Sequence, residues 1–322
     1  MSKLSVPAST PWDGTLALIV LFCLLWSSAF AAAKTVMADC PPLILLSARF
    51  LLAGSVLPAA CAFLQVLSRL GWRNVMVFVA IGLMNNVAYL GMSHLGMLSV
   101  SSGFAAVIVS TTPLLTAIVA APLLGERLSL RKLLGLGLGL VGVAVVLRSR
   151  LGSGHEDLLG TFLVLGAMVG LTAGTLIFKV GRVPPGALVS GAAIQALAGG
   201  LALAPLALML EDMGDIRFTS SLGISFLYLV FGVSVGAFSL WMLILSRTSA
   251  TRASALHFVM PPLGLFFGWL VLGEDVPMLD LLGIIPIALG IRLVTRSNAP
   301  PIEEKMAETL TEETCCTASS QN

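Results

Sequence analysis

The sequence predicts an all-α integral membrane protein of ten transmembrane helices, built as two inverted five-helix repeats. Three observations lead there. Hydrophobic residues make up 57% of the 322-residue chain and charged residues 11%, and the mean hydropathy is +1.00. A water-soluble chain of this size could not hide so much apolar surface, so lipid must be its solvent. The apolar runs are close to the ~20 residues that an α-helix needs to cross a bilayer core. Finally, one segment occurs twice. Leu124-Gly125-Glu126, Leu133-Leu134-Gly135 and Gly142 return as Leu272-Gly273-Glu274, Leu281-Leu282-Gly283 and Gly290, at a constant offset of 148 (273 − 125) that Pro113 and Pro261 share. In a membrane, a unit used twice implies a carrier with its site between the halves.

The ten spans fall at roughly 15–33, 42–64, 74–95, 98–124, 130–148, 158–179, 185–209, 219–245, 248–273 and 277–295. Turn and charge signals separate them, among them Asp39-Cys40-Pro41-Pro42, Arg69-Leu70-Gly71-Trp72-Arg73 and Arg182-Val183-Pro184-Pro185. The expected organisation is a cytoplasmic N-terminal segment (1–14), a first repeat (15–148), a second repeat (158–296) and a polar, disordered cytoplasmic tail (297–322). Ala31-Ala32-Ala33 resembles a signal-peptidase site, but only Lys3 precedes it, and cleavage would break the five-plus-five repeat.

Charge sets the orientation. With the N-terminus inside, thirteen Lys and Arg fall on the cytoplasmic side and four (Lys34, Arg148, Arg150, Arg217) outside, with Arg49 inside a helix. Five helices per half is an odd number, so the second half must run inverted. The two Gly-Glu loops agree: Glu126-Arg127-Leu128-Ser129-Leu130-Arg131-Lys132 is net positive, whereas Glu274-Asp275-Val276-Pro277-Met278-Leu279-Asp280 carries no positive charge.

Several functions are excluded. There is no Gly-x4-Gly-Lys-Ser/Thr phosphate loop, no HExxH and no GxSxG, so no enzyme is expected. The five cysteines fall in no metal-ligand or disulfide spacing, so neither a metal nor a cofactor is expected. Cys315-Cys316 is read as part of a bland tail rather than a lipidation site. No long basic run suggests nucleic acid.

Pro113…Gly125-Glu126…Gly135 and Pro261…Gly273-Glu274…Gly283, over ten spans in two halves, resemble the EamA-type branch of the drug/metabolite transporter superfamily. Trp26-Ser27-Ser28-Ala29-Phe30 is similar to that family's first-helix stretch, and Arg49 sits where members often carry an Arg. The resemblance spans residues 15–296. It implies a transporter of amino acids or other small metabolites, often outward, with a central cavity lined by the first, third, fourth, sixth, eighth and ninth helices.

Polar groups were sought on those helices, because polar side chains in lipid turn towards protein or water. In the third span Gly82, Asn85, Asn86, Tyr89 and Ser93 recur at helical spacing, and Asn85, Asn86 and Tyr89 are taken as lining; interhelical glue is the alternative. In the fourth, Ser110-Thr111-Thr112 precedes Pro113, which frees the carbonyl of Val109. Thr111 and Thr112 are expected to bind solute, unless they only re-satisfy that backbone. His257 precedes Pro261 and Pro262; the three prolines are expected hinges. His257 is read as a site residue that could couple protons, against a packing role. Trp26, Thr172 and Ser234 complete the expected site, whereas Trp241 reads as an interfacial belt residue. Arg49 could attract a carboxylate but is read as snorkelling from the outer side. Glycines 135, 137, 139 and 142 are read as close helix packing.

The expected function is a secondary transporter exporting an amino acid or related amphipathic solute by alternating access. An intramembrane enzyme acting on lipid, or a solute channel, are the alternatives. Expected partners are a small-molecule solute and the bilayer. Coupling has three options: a proton through His257, a counter-solute, or the solute gradient alone. Two halves in one chain let a monomer suffice. A bacterial plasma membrane is assumed, with both termini cytoplasmic.

Overall fold

The computed structural model describes residues 13–63, 70–126, 129–152, 157–276 and 278–295. Ten helical spans lie among them, and no strand does. They are α1 (Asp13–Met37), α2 (Pro42–Phe63), α3 (Trp72–Gly96), α4 (Ser102–Leu124) and α5 (Leu130–Gly152), then α6 (Leu158–Gly181), α7 (Leu188–Leu210), α8 (Ser220–Arg247), α9 (Ala250–Leu272) and α10 (Met278–Thr295). Seven of them, α1, α3, α4 and α6 to α9, are long and apolar enough to cross a membrane. The apolar parts of α2 and α10 are shorter, at Pro42–Leu57 and Leu282–Val294. The tail at 297–322, and the N-terminal segment up to residue 12, lie outside the described residues.

The repeat has a backbone cause. Gly125 and Gly273 end α4 and α9 with the same left-handed conformation, φ 66° and ψ 24°. Glycine adopts it without a Cβ penalty, so both helices stop at Gly and leave the following Glu free to turn. The carboxylate of Glu126 accepts backbone hydrogen bonds from Ala250 (2.7 Å) and Thr251 (3.3 Å), at the start of α9. That of Glu274 accepts from the backbone of Ser102 (2.9 Å) and Gly103 (3.1 Å) and from the Ser102 hydroxyl (2.9 Å), at the start of α4. Each Glu therefore satisfies orphan N–H groups at the positive end of its partner helix. The contacts also fix direction: the end of α4 shares one face of the molecule with the start of α9, and the end of α9 shares the other with the start of α4. Lys34, near the end of α1, donates to the carbonyls of Met97 and Val100 just before α4, so α1 starts on the first face and ends on the second.

Helix packing is that of a twofold relation between halves. The α2·α7, α4·α9 and α5·α10 pairs each join equivalent helices. The remaining contacts come in exchanged sets: α1·α8 matches α3·α6, α1·α9 matches α4·α6, and α2·α8 matches α3·α7. α5 crosses α10 in close backbone contact. A Cβ added at Gly290 would lie 2.5 Å from the Gly135 carbonyl oxygen, and one at Gly142 would lie 2.5 Å from that of Gly283. Gly139 faces the Phe258 ring at 2.5 Å, whereas Gly137 has nothing within 4 Å. Three of the four expected packing glycines thus bring backbones together, and Gly137 does not.

Helical regularity is lost where the two halves meet. α3 is a π-helix over Leu83–Gly91, and α8 over Tyr228–Ala237. α4 breaks at Ser110 and Thr111, immediately before Pro113. α9 tightens to a 3₁₀ turn at Ala255–Val259 before Pro261 and Pro262. Proline lacks an N–H and so leaves an upstream carbonyl unpaired. Ser110 Oγ donates to the Val107 carbonyl, and Thr112 Oγ1 to that of Val109.

Candidate functional site

Between the halves, α1, α2, α3 and α8 enclose a cavity of about 20 Å³, enough for one water. Its wall includes Trp26, Phe30, Arg49, Tyr89, Ser93, His94, Met97 and Phe238. A larger cavity of about 950 Å³ lies on the second face, bordered by Lys34, Asp39, Tyr228, Phe267 and Glu274. Met97 is in the wall of both. Towards the first face the centre is closed by stacked rings. Phe22 and Trp241 lie parallel at 5.5 Å, and His257 stands edge-on to Trp241 at 5.0 Å. Trp26 touches this cluster and also lies parallel to Tyr89, 6.3 Å away.

The expected site residues separate into groups. Trp26 and Tyr89 line the central cavity, and Ser234 borders its polar end by accepting a 2.7 Å hydrogen bond from Arg49 Nε. Asn85 and Asn86 are buried but absent from its wall. Asn85 presses on α6 at Gly174, and Asn86 Nδ2 donates to the Gln195 carbonyl of α7 at 2.9 Å. The π-helical turn is the reason: with more residues per turn, a spacing of three or four no longer holds one face. Thr111 donates to the Ile108 carbonyl (2.7 Å) and meets Met168 Sδ (2.6 Å), and Thr112 is tied to Val109. Both hydroxyls are occupied by the kinked helix. Thr172 is buried with its hydroxyl unpaired, on α6 away from the cavity wall. His257 holds the Ser254 carbonyl through Nδ1 (2.9 Å), leaving Nε2 unpartnered among the aromatic rings. Pro113, Pro261 and Pro262 stand directly after the interruptions of α4 and α9.

Two sequence readings are corrected. Trp241 is 1% exposed and stacked at the molecular centre, not at an interface. Arg49 is also 1% exposed and does not snorkel; it points inward to Ser234, because α2 packs against α7 and α8. His94, not singled out from the sequence, joins it in the cavity wall. A polar residue two positions before the end of α3 gave no periodic signal of its own.

A second symmetric contact was not legible. Lys179 near the end of α6 donates to the carbonyls of Leu245 and Thr248, the positions equivalent to Met97 and Val100. Each lysine closes the link between the third and fourth helices of its own half. The lysines are offset by 145 positions (179 − 34), not 148, which hid them from the repeat.

A solved crystal structure matches this fold with a TM-score of 0.69 and 21% sequence identity, covering 88% of this chain and 96% of that one. A protein of Chlamydia muridarum named S-adenosylmethionine/S-adenosylhomocysteine transporter is 30% identical over 293 residues, 86% of this chain and 90% of the relative. A probable amino-acid metabolite efflux pump of Escherichia coli K12 is 26% identical over 290 residues, 87% of this chain and 93% of the relative. The model of the EamA-like transporter family matches residues 14–148 and 158–296. Two matched repeats over almost all of the described helices leave one conclusion: the chain belongs to the EamA-like transporter family and is a multi-pass membrane transporter.

Proposed function

We propose that this protein is a secondary carrier that exports an amino acid or related amphipathic solute by alternating access between two inverted repeats. All ten helices cross the membrane in this reading; α5 does so by lying along α10. Residues 15–148 and 158–296 act as the two moving units, with Pro113, Pro261 and Pro262 as hinges. Both termini face the cytoplasm of a bacterial plasma membrane, which makes the first face cytoplasmic and accords with the charge bias of the loops.

The exchanged Glu clasps carry this reading. Glu126 binds α9 on one face and Glu274 binds α4 on the other, so the two halves are fastened to each other in the same way at both ends. Alternation needs two states of comparable stability, and a frame fastened alike at both ends favours neither side through its clasps. The name of the Escherichia coli relative supports amino-acid metabolites and outward movement.

The test is counterflow in liposomes holding the purified protein, with a pool of labelled amino acids and a parallel series under a pH gradient. Saturable uptake, accelerated by unlabelled solute on the opposite side, is expected of a carrier. Unsaturable flux would replace the carrier with a channel. Chemical change of lipid without flux would support an enzyme.

A further inference from the structure

Arg49 is a fully buried cation with no anion beside it among the described residues. Its Nε is satisfied by Ser234, and the Phe50 ring lies 5.3 Å from the guanidinium carbon. Nη2 has no hydrogen-bond partner. Buried guanidinium groups are normally paired, because an isolated charge in a low-dielectric interior is costly. Among the described residues no internal partner is offered: every described Asp and Glu lies in a loop or the first three residues of a helix. Two further orphans face the same cavity. Ser93 Oγ is buried without a partner, and so is His94 Nε2. Three unsatisfied polar groups thus converge on one space, and the rest of its wall is apolar: Trp26, Phe30, Leu90, Met97, Val233 and Phe238.

We infer that Arg49 is the anchor for a solute carboxylate, and that the transported class is a small carboxylate with an apolar body, for which an ammonium group is dispensable. This deepens the carrier reading above and rests on it. A carboxylate has two oxygens and about four acceptor sites, enough for a guanidinium edge, a hydroxyl and an imidazole N–H together. The aromatic and aliphatic wall suits a hydrocarbon chain. An ammonium would find no carboxylate among the described wall residues, so the charge recognised is the negative one. The space of about 20 Å³ holds no such solute as it stands. Entry runs from the cavity of about 950 Å³ on the second face, past Met97.

Binding is read directly by tryptophan fluorescence of the purified full-length protein, since Trp26 lines the same cavity. Three probes of one shape are titrated: L-leucine, its amide L-leucinamide, and 4-methylpentanoate, which lacks the amine. The two carboxylates are expected to bind within about threefold of each other, and the amide roughly tenfold or more weakly, the loss of one charge-assisted pair. R49Q is expected to erase the preference for acid over amide, with R49K retaining part of it; an unchanged melting curve confirms both are folded. Equal binding of acid and amide, no binding of either acid, or a preference for the acid that survives in R49Q overturns the anchor. Counterflow of the same probes separates the two readings. Acid-selective binding without flux removes the carrier and keeps the anchor. Saturable flux of any solute with no acid preference keeps the carrier and removes the anchor.

Discussion

The two faces of this molecule carry the same fastenings and different interiors. On each, a helix ends at a left-handed glycine, the next Glu clasps the partner helix, and a lysine holds two carbonyls where the third helix gives way to the fourth. Behind the clasp on the first face stand Phe22, Trp241 and His257, packed ring on ring. Behind the clasp on the second face lie Met97 and a cavity of about 950 Å³. The fastenings are therefore common to both ends, and the difference between a sealed end and one that admits solute lies in the side chains near the axis. Backbone contacts set the frame; aromatic volume fills the first face.

The largest expected effect tests the frame itself. Gly290→Leu places a side chain where even a Cβ would lie 2.5 Å from the Gly135 carbonyl, so α5 and α10 must separate. Overpacking typically costs 1–3 kcal/mol and here falls on backbone, so about 3 kcal/mol or more is expected, with little folded protein on size-exclusion chromatography. Gly137→Leu, open on all sides, should stay within about 0.5 kcal/mol of wild type. Comparable yields of the two would mean that the crossing is not what holds the halves.

The next effect separates the faces. Glu274 accepts three hydrogen bonds and Glu126 two. Bonds to a charged group contribute about 1.5–3 kcal/mol each, so Glu274→Ala should shift the equilibrium further than Glu126→Ala, and in the opposite sense. Leu98, exposed beside the cavity of the second face, reports it. In a background without the native cysteines, Leu98→Cys should react faster with a membrane-impermeant maleimide in the Glu274 variant and slower in the Glu126 variant. A change of the same sign in both would dissolve the comparison.

A third effect concerns the aromatic seal. Trp241→Ala leaves both clasps in place but removes the ring stacked on Phe22. It should open a path on the first face, seen as faster labelling of Ser246→Cys at the end of α8 and a leak in counterflow, while the melting point falls by the ~3–5 kcal/mol equivalent of a buried aromatic. Unchanged labelling would place the seal elsewhere.

The smallest effect is the most symmetric. Gly125 and Gly273 share φ 66°, and neither would place a Cβ within 4 Å of anything. An alanine at either should cost about 1–2 kcal/mol by backbone strain alone, and equally at both. Unequal losses would show that the two ends are under different load.

Much of the frame was legible from sequence, for reasons that differ by residue. Gly125 and Gly273 recur because one backbone conformation demands glycine, and a demand on backbone is visible in any sequence. The spans were visible because lipid imposes length and composition. The site was less legible. Asn86 was placed in the wall by a 3.6-residue period that the π-helix over Leu83–Gly91 does not keep. Thr112 was ambiguous because the proline that frees a carbonyl also supplies the hydroxyl's partner. Arg49 was read as snorkelling from its distance to a helix end, and distance along one helix says nothing about which neighbours cover it. His94 carried no pattern at all, and only the fold brings it to Arg49.

The lysines and glutamates of the two faces act on main-chain atoms, with one side-chain contact added where the Ser102 hydroxyl donates to Glu274. Lys34 and Lys179 hold carbonyl oxygens, and Glu126 and Glu274 hold N–H groups. The receiving residues accordingly differ between the halves: Met97 against Leu245, Val100 against Thr248, Ser102 against Ala250, Gly103 against Thr251. A side chain on the receiving end can be exchanged without losing the main-chain contact, whereas the lysine or glutamate that makes it cannot. The same fastenings therefore tolerate different side chains at the positions they hold, and they frame an aromatic interior at one end and an open one at the other.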